Sequence, residues 1–332
     1  MRILYLPNSY SQQRQFQKPA NIYPVRMAME AEWYRKQGHE VYWIPTHYED
    51  NFRDYLVGHY WCKQKLDKVI REPENLPFLT LPRPDRVFTR AKEYTSGNYK
   101  YLPGTHIISA SGCSHGRCVF CVENGKTYET RKVEDVIEEI AECKSLGYKE
   151  VFDDSATFPT GDWLDSFCVE MMPIDMTLGC NMRVGGDVPF SRMRNAGFRM
   201  LLFGIESANQ ETLDKINKGV KVEDIEPTLK RATKSGLSCH GAFMFGYPWE
   251  TEQDAKRTLQ LCHYLLRKGY LQTAQASLYC PQGVQGNQAH KKYVKKIYDV
   301  GFSPEFWWNK LRDIHDKDDI KYLWRGIKAA LW

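Results

Sequence analysis

The sequence predicts an α/β protein built on an open, partial (βα)6 barrel, with a small N-terminal α/β cap and a C-terminal helical tail. Six short apolar segments follow one another from residue 106 onward, and helical segments separate them. Strands that alternate with helices favour a parallel sheet with right-handed crossovers. The predicted strands are His106–Ser111, Glu150–Asp153, Met176–Cys180, Arg199–Phe203, Cys239–Phe245 and Thr273–Leu278.

The helical segments between these strands end at glycines or polar turns, including Gly147, Gly197, Gly236 and Gly269. In parallel α/β sheets, ligands gather at the carboxyl ends of the strands. The residues that follow each strand are therefore the candidate functional residues. The predicted helices are Val133–Leu146, Trp163–Met171, Pro189–Asn195, Val222–Ser235 and Thr251–Arg267.

The N-terminal region begins with a strand, a helix and a second strand, at Arg2–Leu6, Tyr23–Gln37 and Glu40–Ile44. Residues 46–104 are rich in Tyr, Trp, Lys, Arg and Pro and show no further α/β repeat. The tail ends in a helix-prone segment, Asp318–Leu331. We predict three parts: a cap with its linker at 1–103, the barrel at 104–283 and the helical tail at 284–332.

Composition narrows the class of protein. The chain has 332 residues, of which 42% are hydrophobic, as in an ordinary globular protein. It contains no apolar run long enough for a membrane span and no signal peptide at its start. Its ten cysteines suit the reducing environment of the cytoplasm, and its net charge of +5 is too small to require a polyanionic partner. Aromatic and lysine clusters leave nucleic-acid binding possible, but packing between domains is the favoured interpretation.

Three cysteines lie close together after the first predicted barrel strand, at Cys113, Cys118 and Cys121. Thiolates favour zinc, copper(I) and iron–sulfur clusters. Structural zinc usually has four protein ligands, and the chain has no second C-x2-C pair. Three cysteines therefore suit a 4Fe–4S cluster with one open iron. A zinc site completed by His115 or Cys143, and unliganded thiols, are the alternatives.

From these residues onward the chain resembles the radical S-adenosylmethionine (SAM) superfamily. Phe120 is the aromatic residue before the last cysteine, and the spacing C-x4-C-x2-C has one residue more than the family pattern. Further segments match in order over residues 104–283. They are Phe152-Asp153-Asp154, Gly204-Ile205-Glu206-Ser207 with Leu213–Gly219, Gly246-Tyr247-Pro248-Trp249-Glu250-Thr251 and Pro281-Gln282-Gly283.

The resemblance implies a 4Fe–4S cluster whose open iron takes the amino and carboxylate groups of SAM, and an electron donor of the flavodoxin or ferredoxin type. The residue types alone also allow structural roles: the Asp pair could be an exposed helix cap, and Arg183 could form a surface ion pair. Glu250 is interpreted as a helix cap. The implied metal ligands are Cys113, Cys118 and Cys121, and the implied SAM-binding residues are Phe120, Asp153, Asp154, Arg183, Glu206, Ser207 and Gly246.

The opening strand-helix-strand is also similar to the start of cobalamin-binding domains. The following residues do not repeat the unit, and the Asp-x-His-x-x-Gly loop of some such domains is absent from the sequence. We therefore predict a radical SAM enzyme that does not use cobalamin. A cobalamin-dependent methyltransferase is the first alternative, and a non-catalytic zinc- or cluster-binding protein is the second.

Overall fold

The structure is a computed structural model of the 332-residue chain. Contacts divide the chain into two compact units. The first comprises Met1–Ile108, Glu138–Phe152 and Arg325–Trp332, and the second comprises Ser109–Ile137 and Asp153–Trp324. The structure describes residues 1–7, 22–45, 66–94, 99–280 and 287–331, with side-chain detail to residue 326 apart from residue 302. The predicted Pro281-Gln282-Gly283 turn and residues 46–65 and 95–98 of the aromatic-rich linker lie outside these residues.

The first unit contains a small parallel sheet with the strand order β2-β1-β3. Strands β1 (Arg2–Tyr5) and β2 (Glu40–Trp43) flank helix α1 (Val25–Lys36), close to the predicted bounds. Strand β3 (Lys68–Ile70) pairs with β1 and was not predicted, because three residues give no readable alternation. The cap thus has one parallel strand more than its sequence indicates.

The six predicted barrel strands form one sheet with the order β4-β7-β8-β9-β10-β11, which confirms the open parallel barrel. A separate antiparallel hairpin is formed by two strands of two residues each, β5 (Ala110–Ser111) and β6 (Glu129–Thr130). The strands are β4 (Gly104–Ile107), β7 (Glu150–Asp153), β8 (Thr177–Met182), β9 (Phe198–Glu206), β10 (Ser238–Phe245) and β11 (Thr273–Leu278).

The predicted first barrel strand, His106–Ser111, breaks into β4 and β5. The break occurs because the backbone N–H of Ser109 leaves the ladder and donates to side chains at the end of β7. These are Asp153 Oδ2 and Ser155 Oγ, both at 3.0 Å. The polar residues after β7 thereby shape the chain that leads into the cysteine loop.

The helices of the barrel follow the predicted pattern, with the segment from Val222 split into a 3-10 turn and a helix. Helix α5 was not predicted. In the part of the chain that the structure describes, no helix is both long and apolar enough to cross a membrane. The helices are α2 (Val133–Ser145), α3 (Asp162–Met171), α4 (Phe190–Asn195), α5 (Gln210–Lys215), α6 (Ile225–Lys234), α7 (Glu252–Arg267), α8 (Lys291–Lys296), α9 (Pro304–Arg312) and α10 (Lys317–Leu331).

Candidate active site

The cysteine loop is closed at its base by the β5–β6 hairpin, in which Ser111 lies opposite Glu129. Gly112 leads from the hairpin into the loop with φ +73°, a conformation that favours glycine. A Cβ atom at this position would collide with the backbone carbonyl oxygen of Thr127. The hairpin and this close approach fix the position of the backbone that leads into Cys113.

The three cysteines carry free thiols, Cys118 buried and the other two half-buried. Burial opposes ionisation of the Cys113 thiol. Hydrogen bonds from the Thr157 hydroxyl, 3.3 Å away, and from two backbone N–H groups outweigh burial and lower its pKa. Burial raises the pKa of Cys118, against the opposing charges of Lys218 and Arg183. A lowered thiol pKa favours the thiolate that binds metal.

The candidate fourth zinc ligands are placed as follows. The His115 ring lies 2.7 Å from the carbonyl oxygen of Asn217 through Nε2. Cys143 lies in helix α2, where burial raises the pKa of its thiol to about 12. Among residues with a described position, no three His, Cys, Asp or Glu side chains converge as ligands of one metal ion.

Asp153 ends strand β7 and is fully surrounded by hydroxyl and backbone donors. Its carboxylate accepts hydrogen bonds from the Ser109 hydroxyl and N–H and, at 2.9 Å, from the Ser155 N–H. Burial raises the pKa of Asp153, and these donors oppose the rise. The donors that a buried acid at this strand end needs are thus supplied by the protein itself.

Asp154, the next residue along the chain, is exposed to solvent. Even so, the density of protein around it, together with the negative charge of Asp153, raises the pKa of its carboxyl to about 7. Asp154 is therefore a solvent-accessible acid with a raised pKa. Such a group is suited to meet the amine or hydroxyl of a ligand.

Glu206 is the last residue of β9 and forms a buried ion pair with Lys218, Nζ to Oε1 2.8 Å. Its backbone has φ +65°, which is uncommon for a residue with a side chain. A Cβ atom on Gly204 would lie 2.7 Å from Glu206 Oε1 and 2.8 Å from Lys218 Nζ, so the pair occupies the space above that glycine. Strained backbone at a strand end often marks a functional position.

Arg183 is brought to the same place, because its Nη2 donates to the carbonyl oxygen of Lys218 at 2.6 Å. Its positive charge also acts on Cys113 and Cys118. Lys218 was not among the predicted site residues, although it lies within the matched segment Leu213–Gly219. The structure thus joins Arg183, Lys218 and Glu206 into one charged group beside the cysteine loop.

Two other predicted residues are placed differently. Ser207 is fully buried, and its hydroxyl accepts from the Asn209 backbone and side-chain N–H groups at 3.1 and 3.2 Å and contacts the Thr258 hydroxyl. These contacts direct it toward helix α7. Phe120, which stands between Val119 and Cys121 in the chain, is half-buried.

The interpretation of Glu250 as a helix cap is wrong. Helix α7 is capped by Thr251 and Asp254, which exchange hydrogen bonds in a capping box. Glu250 instead accepts from the Gly246 N–H at 2.5 Å and pairs with His290 Nδ1 at 2.8 Å. Gly246, with φ +82°, is thereby held at the end of β10.

The parallel half-barrel gathers cysteines, acids and cations at the carboxyl ends of its strands, where ligands bind in parallel α/β domains. Residues 107–262 match the model of the radical SAM superfamily.

Curated relatives and a solved structure are similar to parts of the chain. An uncharacterized methyltransferase of Pyrococcus horikoshii is 30% identical over 173 residues, which is 49% of this chain and 38% of that protein. A putative methylthiotransferase of Methanocaldococcus jannaschii is 29% identical over 223 residues, 62% of this chain and 46% of that protein. The chain thus spans less than half the length of either relative.

The fold is also found in the radical SAM methyltransferase TsrM of Kitasatospora setae, solved with tryptophan and a SAM analogue. That structure has a TM-score of 0.50 and 18% identity, over 64% of this chain and 41% of TsrM.

The residues present fit a 4Fe–4S cluster and SAM. Three thiols from one loop can each bind a different iron atom of a cluster. Their sulfur atoms therefore need not converge on one metal ion. The accessible Asp154 suits the SAM amine, and the guanidinium of Arg183 suits the SAM carboxylate.

Proposed function

We propose that this protein is a radical SAM enzyme, and the observation that carries the proposal is the cysteine loop beside the Arg183–Lys218–Glu206 group. A bound cluster would supply the electron that cleaves SAM to methionine and a 5′-deoxyadenosyl radical, which takes a hydrogen atom from a carbon of a second substrate. Cys113, Cys118 and Cys121 would hold the cluster. An electron donor of the flavodoxin or ferredoxin type would deliver the electron.

The roles of the protein residues follow from their positions. Asp154 would accept a hydrogen bond from the SAM amine, and Arg183 would pair with the SAM carboxylate. Glu206 would contact the amine or the ribose with its second oxygen, since Lys218 holds the first. Asp153 would fix the chain before the cysteine loop through its bonds to Ser109.

The test is metal content and SAM cleavage in protein purified without oxygen. We expect about four irons and four sulfides per chain, as one cubane requires, and 5′-deoxyadenosine when a reductant and SAM are added. Replacing any of the three cysteines with Ala should remove most of the iron. Cys262→Ala, a buried thiol of helix α7, is the control. A colourless protein with one zinc would contradict the proposal.

A cobalamin-dependent methyltransferase is a second candidate, because the two relatives are named as a methyltransferase and a methylthiotransferase. The third parallel strand of the cap also makes it larger than the sequence indicates. Such an enzyme would use SAM as methyl donor and as radical source. It would release S-adenosylhomocysteine together with 5′-deoxyadenosine.

We keep the first candidate, without cobalamin, because the Asp-x-His-x-x-Gly motif is absent from the sequence. Chromatography of a quenched reaction separates the two. We expect 5′-deoxyadenosine with little S-adenosylhomocysteine, and no change when cobalamin is added. Equal amounts of the two products, or stoichiometric cobalamin on the purified protein, would favour the methyltransferase.

A further inference from the structure

The three cysteine sulfurs of the loop differ in the hydrogen-bond donors around them. The Cys113 sulfur lies 3.3 Å from the Thr157 hydroxyl oxygen and also accepts from two backbone N–H groups of its own loop. The Cys121 sulfur accepts from the backbone N–H of Glu123 at 3.4 Å. Across the residues whose positions are described, the Cys118 sulfur has no donor. The protein therefore prepares Cys113 most fully to carry negative charge, and Thr157 contributes a side chain to this.

The Thr157 side chain is held in place by the segment that follows strand β7. Thr157 is buried, and Asn181 of strand β8 binds the backbone on both sides of it. The Asn181 carbonyl oxygen accepts from the Phe158 N–H at 2.9 Å, and the Asn181 side-chain amide donates to the Ser155 carbonyl oxygen at 2.9 Å. The hydroxyl is thus presented to Cys113 by a fixed backbone, as a group that supports a metal ligand requires.

The direction of the hydrogen bond follows from the number of hydrogens available. The Thr157 hydroxyl has one hydrogen, and its oxygen lies 2.9 Å from the Ala156 carbonyl oxygen as well as 3.3 Å from the Cys113 sulfur. A thiolate that binds metal has no hydrogen, so Thr157 must then be the donor. Rotation about the C–O bond of Thr157 is enough to turn its hydrogen from Ala156 to the sulfur.

We propose that the Thr157 hydroxyl is a positioning group that acts through the Cys113 sulfur and raises the reduction potential of the cluster; this inference rests on the proposed function. A hydrogen bond to a cysteine sulfur draws negative charge from the cluster. The reduced cluster holds one electron more than the oxidised cluster, so the hydrogen bond stabilises the reduced form more. The other two donors to this sulfur are backbone groups, whereas Thr157 can be changed by substitution.

The experiment is a redox titration of the reconstituted protein with dithionite and mediators, without SAM, followed by electron paramagnetic resonance of the reduced cluster. Thr157→Val removes the hydroxyl and keeps the shape of the side chain. At a given ambient potential the ratio of reduced to oxidised cluster should fall about three- to tenfold, which is a midpoint about 30–60 mV more negative.

Two further variants isolate the hydroxyl. Thr157→Ser keeps it and should have the wild-type midpoint. Thr233→Val is the matched control, because the Thr233 hydroxyl donates to the Leu229 carbonyl oxygen of its own helix, α6, at 2.9 Å. This control should leave both the midpoint and the iron content unchanged.

The outcomes separate this inference from the proposed function. A midpoint that shifts in Thr157→Val and returns in Thr157→Ser, at unchanged iron content, supports the inference. An unchanged midpoint in Thr157→Val, or an equal shift in Thr157→Ser or Thr233→Val, would overturn it. A wild-type protein without an iron–sulfur cluster would overturn the proposed function, and this inference with it.

A loss of iron from Thr157→Val also has a defined meaning. Thr157→Ala, which puts no methyl group in place of the hydroxyl, is then titrated instead, with the same expected shift. Loss of iron from both variants, with full iron in Thr157→Ser, would make Thr157 a structural support of the cysteine loop and overturn its effect on the potential.

Discussion

Lys218 Nζ lies 2.8 Å from Glu206 Oε1, and both side chains are about nine-tenths buried. The resemblance implied Glu206 as a SAM-binding residue, but its partner Lys218 was not predicted. Removing one member of such a pair leaves an uncompensated buried charge, whereas removing both does not. The pair can therefore be tested separately from the ligand.

We expect Lys218→Met to lower the free energy of unfolding by about 3–5 kcal/mol, because Glu206 would be buried without its partner. The double variant with Glu206→Gln should recover most of this loss. Lys221→Met is the control: its ion pair with Glu223 is exposed, so the change should stay under about 1 kcal/mol. Urea denaturation under anaerobic conditions measures all three, and a loss as small as that of the control would contradict the buried pair.

A second prediction concerns the entrance to the cysteine loop. Gly112→Ala should lower the iron content after reconstitution, because the added methyl group collides with the Thr127 carbonyl and shifts the base of the loop. Gly125→Ala isolates this collision, since Gly125 has nearly the same φ, +74°, with nothing within 4 Å of its Cβ position. Equal iron loss in both variants would assign the effect to the backbone angle alone.

A third prediction is a pH dependence at Asp154. In the folded protein this acid keeps its proton up to about pH 7, whereas the unfolded chain releases it near 3.8. The folded state then binds more protons between these values, so the contribution of Asp154 to stability falls as the pH rises. Asp154→Asn should raise the melting temperature of the ligand-free protein, and by more at pH 8 than at pH 5.5. A gain that is equal at both pH values would show that the pKa is not raised.

A fourth prediction tests the support of the Gly246 turn. His290→Leu removes the donor to the buried Glu250 and should destabilise the protein by about 1–3 kcal/mol. His290→Asn retains a donor and should recover part of this. Hydrogen exchange at the Gly246 and Asn287 amides should accelerate in the Leu variant. Lys292→Met breaks an exposed pair with Glu252 and removes a cation over the Tyr293 ring, and it should leave exchange at these amides unchanged.

The barrel could be predicted from the sequence because its strands are apolar and lie between clear turns. Strand β7 has the predicted bounds, Glu150–Asp153, and the cysteine triplet and the strand-end acids could be identified from their order. Strand β3 could not, since three residues carry no periodicity.

The contacts that were not predicted join residues that are well separated along the chain. Lys218 lies 12 residues after Glu206, and only the turn of the chain around helix α5 brings the two together. Glu250 stands just before a helix, as a cap would. Its partner His290 is 40 residues further along the chain, and no local pattern indicates that contact. The Thr251 and Asp254 capping box was readable and assigns the cap correctly.

Gly204 has a consequence for how this site can change in evolution. It has no side chain and no charge, yet a single methyl group there would meet both Glu206 and Lys218. Gly204→Ala would push two unaltered charges apart. Selection for the electrostatics of this site therefore falls partly on a residue without a side chain, and a search for functional residues by chemical type would pass over it.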